Sequence, residues 1–203
     1  MKQHWEKVYT TKKPDEVSWT QAKPETSLRF IHDFDLPKNA AIIDVGGGDS
    51  KLVDCLLEEG YTNITVLDIS EQAVIRARKR LGERAENVKW IVSDIIDFVP
   101  DAIYDVWHDR AAFHFMNTDE TVVHYLTTMK QAVKKGYAVI GTFSEQGPKM
   151  CSGLEIRQYS ESSLASLLQP EFVRLKTLTE DHTTPFQTQQ NFLFCSFKTV
   201  ENP

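Results

Sequence analysis

From residue 40 onward, short apolar runs alternate with amphipathic stretches. Ala41-Ile42-Ile43-Asp44-Val45 has the length and composition of a strand buried on both faces. Gly46-Gly47-Gly48 ends it, and Leu52, Val53, Leu56 and Leu57 follow at helical spacing until Gly60. Residues 64–67 give a second strand, and Ser70 is a natural N-cap for a helix carrying Val74, Ala77 and Leu81. Residues 88–92 and 104–107 are the third and fourth strands. A helix over about 118–134 then shows Val122, Leu126, Met129 and Val133 on one face. Gly136 precedes a fifth strand at 137–143, and a helix over 161–168 is stopped by Pro170. Two further strand-like runs, 172–178 and 191–197, are joined by a polar loop of about a dozen residues that contains His182. Strand and helix in strict alternation predict one doubly wound α/β domain that finishes in a β-hairpin.

The first 40 residues read differently. Trp5, Val8 and Tyr9 share a helical face that Lys12-Lys13-Pro14-Asp15 breaks, and a second helix starts at Pro24 with Leu28, Phe30, Ile31 and Phe34 as its apolar positions. Residues 1–37 are therefore expected to form a helical lid on a core of residues 38–203, the whole making a single domain.

Composition narrows the class. The chain has 203 residues, 41% hydrophobic and 26% charged, with 9 Gly and 8 Pro, which excludes a disordered or fibrous protein. A net charge of −6 argues against a nucleic-acid partner, because such binding rests on Lys and Arg neutralising phosphates. Cys55, Cys151 and Cys195 lie too far apart for a zinc knuckle, so no metal is expected. They read as reduced thiols of a cytoplasmic protein. The opening residues lack the apolar core of a signal peptide, and no apolar stretch is long enough for a membrane span.

The chemistry concentrates at Asp44-Val45-Gly46-Gly47-Gly48-Asp49-Ser50, where a strand turns into a helix. Glycines there permit positive φ and let backbone N–H groups come close to a ligand. Asp68 ends the second strand, where a carboxylate can accept from both hydroxyls of a ribose, and Asp94 follows the third. Together they predict a nucleoside cofactor at the switch point of an open sheet. A dinucleotide site calls for Gly-x-Gly-x-x-Gly, but Lys51 occupies the third glycine position, which counts against an NAD-type oxidoreductase.

This set resembles the first motif of the class I S-adenosylmethionine (SAM) methyltransferases, acid-x-Gly-x-Gly-x-Gly, matched by Asp44, Gly46 and Gly48 and departing at Ser50. The resemblance covers about residues 40–200. His4-Trp5-Glu6-Lys7-Val8-Tyr9 with Val17-Ser18-Trp19, and the stretch 107–115, are also similar to small bacterial methyltransferases of undefined substrate. The resemblance implies a Rossmann-like, seven-stranded, mostly parallel sheet with an antiparallel last strand and helices on both faces. It implies SAM as cofactor, S-adenosylhomocysteine as product and no metal. By position, Gly46, Gly47 and Gly48 would pass beneath the methionine moiety and Asp44 would hold its amino group. Asp68 would take the ribose, Ile69 would lie beside the adenine, and Asp94 and the N–H of Ile95 would meet the adenine edge. His108 would lie near the methionine end, and Trp19 would belong to a lid over the cofactor.

Methyl transfer is an in-line displacement that needs positioning and dryness more than a catalytic group. Candidate bases nonetheless exist: His114 and Asp109, expected just after the fourth strand together with His108, and His182 in the polar loop. Arg110 is expected to pair with Asp109 or Glu120. Cys151, in a long loop over 144–158, reads as an inert or cofactor-adjacent thiol, and Cys55 and Cys195 as core. No Asn/Asp-Pro-Pro-Tyr/Phe tetrapeptide and no Pro-Cys pair is present, so signatures for adenine, glutamine-amide and cytosine acceptors are missing. A small-molecule acceptor is the expectation. Protein lysine methylation and a non-catalytic SAM-binding regulator are the alternatives.

Overall fold

The apolar runs become strands of one seven-stranded sheet in the computed structural model, which describes residues 1–200. In chain order the strands are β1 (Ile42–Val45), β2 (Ile64–Asp68), β3 (Val88–Val92), β4 (Val106–Arg110), β5 (Tyr137–Phe143), β6 (Met150–Cys151), β7 (Leu154–Glu155), β8 (Phe172–Thr183) and β9 (Gln189–Thr199). The pair β6–β7 is a separate small hairpin; the others lie in the order β3-β2-β1-β4-β5-β9-β8. Neighbours are parallel from β3 to β5, and β9 runs antiparallel between β5 and β8. The chain's reversal of direction across the sheet falls between β1 and β4, where open α/β sheets leave a crevice at their carboxyl ends.

Strands buried on both faces need cover on both sides. One face carries α5 (Asp119–Ala132) and α6 (Glu161–Leu168), whose Tyr125, Met129 and Leu164 pack on Ile43, Trp107 and Ile140. The other carries α2 (Glu25–His32) and α3 (Leu52–Glu58) with the end of α4 (Glu71–Leu81), and here Phe30, Ile31 and Leu52 meet Ile42, Val106 and Phe194. Phe30 and Ile31 are wholly buried, so α2 belongs to the core sandwich. Only the segment up to about residue 20 lies outside it, with α1 (Lys2–Thr11) bringing Trp5 and Val8 against Val17.

Two boundaries differ from the sequence expectation. The fourth strand begins at Val106 and runs through Arg110, so His108 and Asp109 lie within it and not after it. Strand alternation then sends neighbouring side chains to opposite faces. Val106 packs on the α2–α3 face and Trp107 on the α5–α6 face. The final hairpin is also longer than the apolar runs suggest: His182 is in β8, paired with Gln190, and the connecting turn shrinks to 184–188. As the sheet's outer strand, β8 pairs on one side only, so it accommodates polar residues that a hydrophobicity reading assigns to a loop.

Asp109 faces α5 and is fully engaged there. It accepts the N–H groups of Ala112 and Phe113 (2.9 and 3.2 Å) and the Tyr125 hydroxyl (2.6 Å), which in turn accepts the Trp107 indole N–H (2.8 Å). Burial pushes its carboxyl up to about 6. The network fixes the turn that leaves β4. Tyr125→Phe strands two buried polar partners and should cost about 1–3 kcal/mol in urea unfolding. A loss below about 0.5 kcal/mol, the range of an uninvolved surface change, would contradict that role.

Candidate functional site

Two cavities open at the carboxyl ends of β1, β2, β3 and β4 and meet at Tyr9, Trp19, Gly46 and Arg110. The first holds Asp68, Ile69, Asp94 and Ile95 along one side, with Trp5 and Phe115 also in its wall. The second is lined by Asp44, Gly47, His108 and Ser27.

The glycine turn between them is dictated by close approach. Gly46 and Gly48 sit at φ +67° and +36°, where a side chain is strained. A Cβ on Gly46 would stand 2.6 Å from the Ala112 methyl, one on Gly47 2.5 Å from Asp44 Oδ2, and one on Gly48 2.6 Å from Asp68 Oδ2. Arg80 of α4 holds the descending loop, donating to the Ser50 carbonyl (2.8 Å) and pairing with Asp49 and Asp54. Backbone is thereby laid directly over two carboxylates.

Those carboxylates differ. Asp44 and His108 are register neighbours on β1 and β4, joined by a 2.7 Å hydrogen bond between Oδ1 and Nδ1. Their other atoms, Asp44 Oδ2 and His108 Nε2, are buried without a protein partner, as is Ser27 Oγ. Three unspent polar atoms thus border the second cavity. Asp68 accepts the Ser70 N–H (2.7 Å), but burial, with Asp44 and Glu6 nearby, pushes its carboxyl up to about 7. Asp94 accepts the Ile96 N–H (3.2 Å) at the start of the loop after β3.

The aromatic roof is fastened at two points. Trp5 meets Trp19 and Phe115 edge-on, at 5.6 and 5.2 Å. Glu6 accepts the N–H groups of Glu71 and Gln72 and the Ser70 hydroxyl, satisfying the exposed amide donors that begin α4. His4 Nε2 reaches Ser152 Oγ (3.2 Å), tying α1 to the β6–β7 hairpin.

Of the residues singled out from sequence, Trp19, Asp44, Gly46, Gly47, Asp68, Ile69, Asp94, Ile95 and His108 all line these cavities, and Gly48 lies against Asp68. His114, His182 and Asp109 line neither. His114 is wholly buried against Phe115 and Phe143, with both ring nitrogens unpartnered, and burial and Arg110 hold its pKa down near 3. His182 binds through Nε2 to the Ser18 carbonyl (2.8 Å) and so fastens β8 to the segment leading into Trp19. Asp109 is spent in the turn after β4. The three do not converge, because the strand that separates Asp109 from His108 and Arg110 extends further than expected.

Arg110, expected from the sequence only as an ion-pair partner, belongs to the site. It pairs with neither Asp109 nor Glu120; it lines both cavities, donates Nη1–H to the Trp19 carbonyl (2.9 Å) and lies 4.6 Å over the Phe192 ring. Its Nε and Nη2 have no partner, and burial lowers its pKa to about 10. Period-two reading from Val106 through Arg110 would have put it on the side of His108. Cys151 also lines the first cavity, its thiol pushed up to about 12 by burial.

Residues 42–136 match the family model of a methyltransferase domain. The chain is 27% identical over 153 residues to mouse (Mus musculus) eEF1A lysine and N-terminal methyltransferase, covering 74% of this chain but only 21% of that protein. Among solved structures it is similar to one from work on the conversion of a disulfide bond into a thioacetal group during echinomycin biosynthesis. There the TM-score is 0.79 at 18% identity, covering 100% of this chain and 94% of the other. It is also similar to the N-methyltransferase NodS of Bradyrhizobium japonicum in complex with S-adenosylhomocysteine, at TM-score 0.72 and 15% identity with 98% of each chain covered. Among the described residues, no helix is long and apolar enough to cross a membrane, and no group of three or more His, Cys, Asp or Glu could hold a metal ion.

The raised pKa of Asp68 is a statement about stability. The folded state holds this proton more tightly than the unfolded chain, so Asp68 costs nothing near pH 4 and progressively more as pH rises to about 7. Asp68→Asn keeps the acceptor for Ser70 and removes the charge. Its urea midpoint should gain on the wild type between about pH 4 and 7 and stay level above. A difference independent of pH would contradict a buried, reluctant carboxylate.

Proposed function

We propose that this chain, whose residues 42–136 match a methyltransferase domain, is a class I S-adenosylmethionine-dependent methyltransferase that transfers the methyl group to a small-molecule nucleophile. The cofactor when bound supplies an electrophilic methyl on a sulfonium; what the protein supplies is position, dryness and charge. The observation that carries the reading is the cradle itself: Gly48 packed on Asp68, Gly47 packed on Asp44, and unspent atoms on Asp44 and His108. Asp68 would accept the ribose hydroxyls, with adenine between Ile69 and Ile95 and its amino group on Asp94. Asp44, His108 and Ser27 would serve the amino-acid end in the second cavity.

Residues 1–20 would act as the lid. Tyr9 and Trp19 sit at the join of the two cavities and Trp5 in the wall of the first, on a segment held by Glu6 and His4. That fastened roof supports a small acceptor over a protein side chain. The mouse relative's name concerns a protein substrate, but this chain spans about a fifth of that relative's length. With His114, His182 and Asp109 away from the cavities, positioning and exclusion of water carry the reaction without a dedicated base.

Calorimetry should show SAM and S-adenosylhomocysteine binding well ahead of NAD, and Asp68→Ala should weaken S-adenosylhomocysteine by about 1.5–3 kcal/mol, the worth of hydrogen bonds to a charged group. Tighter NAD binding, or an unchanged Asp68→Ala, would sink the assignment. Release of S-adenosylhomocysteine during turnover with small acceptors separates an enzyme from a SAM-binding regulator. For the lid, Glu6→Ala removes a cap worth about 1 kcal/mol, so cofactor affinity should fall roughly fivefold. Equal affinities would make α1 a structural appendage.

A further inference from the structure

We infer that the methyl acceptor binds as an anion, a carboxylate or thiolate on an apolar body, with its charge held by Arg110. This rests on the cofactor reading above. If the adenosine end lies at Asp68 and Asp94 and the amino-acid end at Asp44 and His108, the sulfur between them falls where the two cavities meet. Arg110 is one of the four residues at that junction.

The charge there is unbalanced. Among the described residues no carboxylate lies within ion-pair distance of Arg110. Glu180, the acid whose field reaches it, is engaged by the Thr26 hydroxyl (2.5 Å). A guanidinium beside a sulfonium in apolar surroundings repels it, and the repulsion is stronger than in water because little solvent screens it. An anionic acceptor lying between the two cations removes the conflict. The second cavity has cations of its own for the cofactor's carboxylate, Lys51 and Arg76, so Arg110 is not needed for that.

The rest of the wall agrees. Trp5, Phe115, Met116 and Cys151 offer an apolar bed for the acceptor's body. The two carboxylates in the first cavity's wall, Asp68 and Asp94, are those the cofactor reading gives to the ribose and the adenine. Tyr9 and Cys151 are then the side chains there left to take a proton from an acceptor. Burial keeps the Tyr9 phenol and the Cys151 thiol protonated, and His114 is outside. An acceptor that arrives as an anion needs no base. A lone pair on its oxygen or sulfur forms the bond to the methyl carbon, and the electron pair of the broken carbon–sulfur bond stays on the cofactor's sulfur. An anion and a cation thus become an ester or thioether and a neutral thioether, and no proton leaves. Neutralisation of opposite charges is favoured in a dry site.

Three probes sharing a benzyl body test this: phenylacetate, phenylmethanethiol and benzylamine. Their binding to the protein loaded with S-adenosylhomocysteine is measured by calorimetry, and their methylation in single turnover with SAM by mass spectrometry. Phenylacetate should bind at least about tenfold more tightly than benzylamine in the wild type, as a charge-assisted pair with Arg would give. Arg110→Met should abolish that preference and Arg110→Lys retain most of it, the preference being read as a ratio within each variant so that any effect of losing the tie to the Trp19 carbonyl cancels. Methylation of phenylacetate ahead of benzylamine, or of phenylmethanethiol at a rate that rises with pH as its thiolate forms, supports the inference and tells oxygen from sulfur. It is overturned if benzylamine binds the wild type as well as phenylacetate does. It is equally overturned if Arg110→Met weakens S-adenosylhomocysteine while the probe preference stays, which would assign the guanidinium to the cofactor. Failure of the wild type to bind S-adenosylhomocysteine at all would instead remove the underlying cofactor reading.

Discussion

The backbone of residues 46–48 passes so close to Ala112, Asp44 and Asp68 that any Cβ there would lie within 2.6 Å of one of them. Everything else in the site is arranged around that approach. It requires β1 and β4 to be neighbours, so that Asp44 can share a hydrogen bond with His108 from below. It requires Arg80 to hold the far side of the loop, and it needs the turn after β4 to bring Ala112 against Gly46. Asp109 secures that turn from the opposite face, which is why a carboxylate one residue from the site is indispensable to its shape without touching it.

Much of this was legible in the sequence because the information is local. Runs of β-branched residues between glycines, with helical spacing after them, suffice for β5 and α6, whose ends fall at the expected residues. The acids at the ends of β1 and β2 and after β3 were legible for the same reason, since a strand's end marks the sheet edge. Trp107-His108-Asp109-Arg110 was harder. A strand that buries polar groups on both faces does not look like one, and each of its side chains is satisfied by something distant: Asp44, Tyr125, Trp19. His182 was misplaced likewise, because an outer strand's polar residues carry no hydrophobic signature. Arg110 and the ties made by Glu6 and His4 depend on contacts between segments far apart in the chain, and no spacing rule encodes them.

The aromatic roof and the carboxylates beneath it are electrostatically joined. Glu6 completes α4's first turn, yet the same carboxylate adds to the field that keeps Asp68 reluctant to ionise, alongside burial and Asp44. A ligand donating hydroxyls to Asp68 would favour its ionised form and so offset part of that cost. Closing the roof and filling the cradle therefore support one another by contact but oppose one another by charge.

The cap that Glu6 provides has a consequence for how the roof's motion can be watched. At the start of most helices the first amides face water or a side chain of their own turn, and they exchange hydrogen readily. Here the amide protons of Glu71 and Gln72 are bound by a carboxylate from another helix, more than sixty residues earlier in the chain. They can meet solvent only when α1 lifts away, whereas the interior amides of α4 wait for the helix itself to open. Deuterium uptake at these two positions, against the rest of α4, is thus a built-in clock for the opening of the roof over the two cavities.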